Sequence, residues 1–146
     1  KEEDRLFVKM EEHGFPRQGG PTGVMLNEHE MGRSFVGGMA DAVADAAAGD
    51  REAIRKFAEN GYGFIELLSN HIAKENNILF PMADQSLGEA EMANILADFK
   101  RIEADAGGKR HVKYIAVARK LCEQYDVPFL EQSQMQTLAT ELAVGV

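Results

Sequence analysis

Apolar residues recur along this chain at steps of three and four, and no stretch alternates apolar with polar residues for the length of a strand. The pattern predicts an all-α fold. The first segment, 1–13, keeps Leu6, Met10 and His13 on one stripe and stops at Gly14, after which Pro16, Gly19, Gly20 and Pro21 mark a loop. A second segment, from about Thr22 to Ala48, sets Met25, His29, Gly32, Val36, Met39, Val43 and Ala46 on one face, and Gly49 closes it. Asp50 is placed to cap a third helix, in which Ile54, Ala58, Gly61, Ile65, Leu68, Ile72, Glu75 and Leu79 repeat the spacing up to Pro81. Ser86 with Glu89 reads as a capping box that opens a fourth helix to about Asp105. Gly107 and Gly108 break it, a fifth runs from about Lys109 to Tyr125, and a weaker pattern over 131–142 suggests one more short helix. The long faces of the second and third segments read as the seams of a helical bundle.

Glu75 does not belong on such a seam. A carboxylate among Ile65, Leu68, Ile72 and Leu79 is desolvated, at a cost of several kcal/mol (about 3 or more) unless it is paired or metal-bound. His71 lies four residues earlier, one helical turn, so imidazole and carboxylate project from the same face at the spacing with which one helix grips a metal ion. His29 sits on the seam of the second helix between Met25 and Gly32, giving two imidazoles and one carboxylate from facing helices. Alone, a seam histidine is more often a hydrogen-bonded core residue, and a seam glutamate is more often paired with a neighbour such as Lys74. The coincidence of all three is what points to a metal site.

An internal repeat extends the set. Lys1-Glu2-Glu3-Asp4-Arg5-Leu6-Phe7 and Lys74-Glu75-Asn76-Asn77-Ile78-Leu79-Phe80 share Lys-Glu-x-x-x-Leu-Phe, which makes Glu2 the counterpart of Glu75. Glu3 is the fallback if the helix phase is off by one. A pseudo-twofold arrangement of two helix pairs follows, each pair giving one His from its first helix and a His-x-x-x-Glu from its second. Four imidazoles and two carboxylates suit two bridged ions rather than one. In the first copy the matching histidine falls before Lys1, so the expectation is a chain that opens inside a helix, with half of the first pair missing.

Length and composition narrow the partners. One domain is the default for 146 residues, and 45% apolar content fills its core without staples. The net charge of −8 argues against nucleic acid and anionic membrane surfaces, both of which need an excess of Lys and Arg. A single cysteine, Cys122, excludes a disulfide framework and multi-cysteine metal sites and fits a reducing compartment, so the cytoplasm is the expected location. No apolar run approaches the roughly 20 residues of a membrane span. His13 reads as a helix-end residue, His111 as a surface residue, and Cys122, with Ile115, Val117, Ala118 and Leu121 around it, as a small core residue. Gly32 and Gly61 mark either close helix packing or room for a small ligand beside the metal.

These residues resemble the bacterial hemerythrin-like proteins, the HHE cation-binding domain. The likeness is carried by Lys1 to Phe7, by Gly14-Phe15-Pro16-Arg17-Gln18-Gly19-Gly20-Pro21 running on to Glu28-His29, and by His71-Ile72-Ala73-Lys74-Glu75 through Leu79-Phe80-Pro81, within about the first 84 residues. The resemblance implies a four-helix bundle, its first helix missing here, around a non-haem di-iron centre. His29, His71 and Glu75 would be metal ligands and Glu2 the matching bridging carboxylate. Residues 85–146 would form a C-terminal helical extension packed on the same domain. The function implied is binding, sensing or reaction of a small ligand such as dioxygen or nitric oxide, with self-association into a homo-oligomer as a further expectation. A di-iron oxidoreductase or an iron-donating repair protein would use the same ligands, and a metal-free helical interaction module is the third class. No Glu-x-x-His occurs at any of the four histidines, which argues against ferritin-like carboxylate oxidases.

Overall fold

Three of the helices end where glycine permits it. Gly14, Gly49 and Gly107 take φ values of 92°, 92° and 98°, in the left-handed region that a Cβ penalises by about 1–2 kcal/mol. The computed structural model describes residues 1–107 and 110–129; the expected helix over 131–142 and the side chain of His111 lie outside the described residues. It is all-α: α1 Phe7–Glu12, α2 Pro21–Ala47, α3 Arg51–Lys74, α4 Phe80–Ser86, α5 Glu89–Asp105 and α6 Arg110–Gln124. Among the described residues there is no strand, and no helix is long and apolar enough to cross a membrane.

Asp50 caps α3 as its position predicts, its carboxylate accepting from the Ala53 amide at 2.8 Å. The second capping expectation differs. Ser86 is the last residue of α4, and α5 opens two residues later from Gly88, whose amide donates to Glu91 Oε2 at 3.4 Å. Glu91 therefore reaches back from the third helical position, while the extended backbone of Leu87 takes Ser86 out of cap range.

Nor does α3 run unbroken to Pro81. Glu75–Leu79 forms a single π turn, the Phe80 amide donating to the Glu75 carbonyl, and the helical path continues through Pro81 in the first turn of α4. Glu2–Leu6 forms the same turn, the Phe7 amide donating to the Glu2 carbonyl. Val8 occupies the place of Pro81 there, so the π turn belongs to the repeated Lys-Glu-x-x-x-Leu-Phe and not to the proline.

The chain divides into two units, Lys1–Phe99 and Lys100–Val146. The core of the first unit gathers at the repeats: Leu6, Phe7, Met10, Met25, Leu79, Ala83, Leu87 and Ile95, with Phe15, Leu26, Phe80, Met92 and Phe99 packed against them. The start of α5 is thus part of this core, and His13, the C-cap of α1, ties to it through Glu91 at 3.0 Å.

The seams expected along α2 and α3 are buried only at this end. Val43 is 51% exposed, Ile65 61% and Ile72 45%, and Val36, Ile54 and Leu68 are exposed as well. Away from the core, α2 and α3 meet each other through Phe35, Gly63, Phe64 and Leu67 beside the predicted seam and through Gly32, Met39 and Gly61 on it. A Cβ on Gly63 would come within 2.6 Å of the Phe35 ring, one on Gly32 within 3.6 Å of Phe64 and Leu67, and one on Gly61 within 3.7 Å of Met39. The predicted seam is thus covered only in part among the described residues. In the second unit, Cys122 is half-buried, with Val117 and Leu121 exposed beside it, so α6 does not enclose it as a core residue.

Candidate metal centre

Where the core ends, the polar groups begin. The His29 ring stacks on Phe7, with centroids 5.9 Å apart and planes at 16°, so a core residue of the first repeat fixes the floor of the site. His71, in the last turn of α3, is buried and lies with its ring centroid 4.8 Å from that of His29.

Each imidazole is held from behind by a carboxylate. His29 Nδ1 donates to Glu3 Oε1 at 2.7 Å, and Arg33 Nη1 donates to the same oxygen at 3.0 Å. His71 Nδ1 donates to Glu28 Oε2 at 2.9 Å, and Lys74 Nζ bonds the other Glu28 oxygen. Lys74 therefore pairs with Glu28 rather than Glu75. With each Nδ1 donating outward, the rings turn both Nε2 atoms inward, 3.2 Å apart, close enough to share one proton or one cation. Glu75 Oε1 lies 3.3 Å from His71 Nε2, and Glu2 Oε2 lies 3.7 Å from His29 Nε2.

The structure thus brings together His29, His71 and Glu75, whose ligand atoms lie within 4.8 Å of one another, and places Glu2 against Glu75 across the same cavity. The fallback Glu3 instead takes the outer nitrogen of His29. Sequence reasoning missed Glu28 and the role of Glu3. The only signal was adjacency, since Glu28 precedes His29 and Glu3 follows Glu2.

The electrostatics follow from this wiring. Burial pushes the Glu75 carboxyl up, and the negative Glu2 facing it adds to the rise, against a partial pull from the two imidazoles. Burial acts on Glu28 too, but the Lys74 and His71 hydrogen bonds outweigh it and hold that carboxyl below its usual range. For Glu3 the Arg33 hydrogen bond is the largest influence, and with lesser help from His29 it holds the carboxyl below its usual range against the opposing effect of burial.

Four electron-pair donors therefore converge with the nearby N–H groups turned away, an arrangement that only a proton or a cation relieves. Donors bonded to one ion at about 2.1 Å stand about 3.0–3.4 Å apart in octahedral or tetrahedral sites, and the 3.2 and 3.3 Å separations fall in that range. The residues fit a metal ion. They line a cavity of about 640 Å³ whose other wall is apolar, with Val36, Phe64, Leu68 and Ile72. Gly32 also lines it; Gly61 does not.

A family model for the hemerythrin HHE cation binding domain matches residues 1–83. Among curated proteins, the chain is similar to uncharacterized proteins of Mycobacterium bovis and Mycobacterium tuberculosis, each 26% identical over 130 residues that cover 86% of this chain and 50% of the relative. The chain spans half the length of these curated relatives. No solved structure matches it. The matched residues contain both Lys-Glu-x-x-x-Leu-Phe turns and every donor of the cluster, and by that match the chain belongs to the hemerythrin HHE cation-binding domain family.

Proposed function

We propose that this chain forms part of a non-haem di-iron centre that binds, senses or reacts with a small ligand such as dioxygen or nitric oxide. The observation that carries the reading is the convergence of His29 Nε2, His71 Nε2 and Glu75 Oε1, with both Nδ1 atoms held from outside. Iron bound there would supply reversible redox chemistry and open positions for a small ligand. His29, His71 and Glu75 would hold one ion, and Glu2, facing Glu75, would be the carboxylate available to a second. The wall of Val36, Phe64, Leu68 and Ile72 gives a small apolar ligand a hydrophobic surface beside the metal. Two imidazoles and two carboxylates do not saturate two ions, so water or donors from outside these residues complete the set.

Anaerobic purification followed by elemental analysis and an ultraviolet-visible spectrum before and after oxygen tests this. An oxo-bridged di-iron band that appears and reverses supports ligand binding, and irreversible bleaching supports turnover. Glu75→Ala should abolish bound iron. Iron near two per chain supports the dinuclear reading. One ion or none would end it.

A further inference from the structure

We infer that Glu28, clamped by Lys74, is a positioning residue that fixes His71 with its proton on Nδ1 and its lone pair on Nε2, and so sets how tightly the pocket grips a cation. The inference rests on the metal-binding reading and adds a residue outside the ligand set. Both oxygens of Glu28 are already engaged, Oε2 with His71 Nδ1 at 2.9 Å and Oε1 with Lys74 Nζ. Swinging Glu28 onto a cation would break both bonds, so its role is behind the imidazole. The contact also crosses between helices, because Glu28 comes from α2 while His71 and Lys74 come from α3. The orientation of the imidazole is thereby tied to the packing of the helix pair.

Burial distinguishes this relay from its twin. The side chains of His71 and Glu28 are 8% and 11% exposed, whereas Glu3 and Arg33 behind His29 are 33% and 57% exposed. Water can replace Glu3 as the acceptor for His29 far more readily than it can replace Glu28. A carboxylate hydrogen-bonded to the outer nitrogen also makes the inner nitrogen a stronger donor. Removing Glu28 therefore leaves His71 free to place its proton on either nitrogen, while removing Glu3 leaves His29 with a solvent acceptor.

Two measurements on the whole chain test the role. Nitrogen-15 shifts in the metal-free protein report the His71 tautomer, and anaerobic calorimetry with Fe²⁺ alone reports affinity. The parent should show His71 protonated on Nδ1. Glu28→Ala should give a tautomer mixture and weaken Fe²⁺ binding about 10–100-fold. Glu28→Gln, which keeps an acceptor oxygen, should hold the tautomer and lose less affinity, and Glu3→Ala should lose less than Glu28→Ala. Circular dichroism checks folding, and if Glu28→Ala fails that check, Lys74→Met, which frees the clamp but keeps the carboxylate, should still weaken Fe²⁺ binding. An unchanged His71 tautomer in folded Glu28→Ala, or Fe²⁺ affinity unchanged in a folded Lys74→Met, overturns the role of Glu28. A parent that takes up no Fe²⁺ overturns the metal-binding reading instead, and the tautomer comparison then decides the positioning alone.

Discussion

At the scale of single residues, the contact between His13 and Glu91 offers a test free of the metal centre. The His13 hydrogen bond, with lesser help from the Gly88 amide and Lys9, holds the Glu91 carboxyl below the ordinary value of 4.5. A lowered carboxylate contributes stability that is present above that value and lost as pH falls through the lowered one. We expect His13→Ala to move the Glu91 titration, followed by NMR, back toward 4.5, and the stability gap between parent and variant to close in that acid range. His29 and Glu75 were legible from sequence because each interrupts an apolar face, His71 because it lies one helical turn before Glu75, and Glu2 because of the repeat. Glu28 and Glu3 were not, because on a helix a glutamate beside the seam has the same pattern as one in water. Only the facing helix shows that its oxygens point at an imidazole.

At the scale of elements, the capping and packing contacts separate cleanly by substitution. Asp50→Ala removes the acceptor for the Ala53 amide and should cost about 1 kcal/mol in chemical denaturation. Gly63→Ala drives a Cβ to 2.6 Å from the Phe35 ring and should cost about 1–3 kcal/mol. Gly37→Ala, also in α2 or α3 but with nothing within 4 Å, should gain about 0.5–1 kcal/mol. Helix periodicity was readable because three- and four-residue spacing reports a face. What that face packs against is a property of the neighbours, and for this reason Val36, Ile65 and Ile72 kept a seam pattern while standing exposed. The Ser86 capping box failed for a similar reason: the extended backbone of Leu87, which the residue pattern does not show, separates Ser86 from the start of α5.

At the scale of the whole molecule, stability in the first unit is concentrated around the repeats. Leu79, 1% exposed, should cost about 2–5 kcal/mol when cut to Ala, whereas Ile65→Ala should stay within about 0.5 kcal/mol. Hydrogen exchange should accordingly be slowest in 22–28 and 71–83 and faster between them. A cation bound only by the folded chain should add about 2.7 kcal/mol at one hundred times its dissociation constant, which a chelator would reverse. The two π turns carry a different kind of slack. Each is a helix holding one residue more than an α-turn needs, so the chain there has a residue that it can lose without losing its phase. Deleting Asn77 would restore α-geometry, and four residues at about 100° each sweep nearly the angle that the five of the π turn sweep, so everything beyond keeps its direction. Phe80 and Ala83 would stay turned to the core while Glu75 stayed at the cavity. Homologous sequences that keep this pocket should therefore vary in letters between Glu75 and Phe80 and tolerate the loss of one residue there, but not of two.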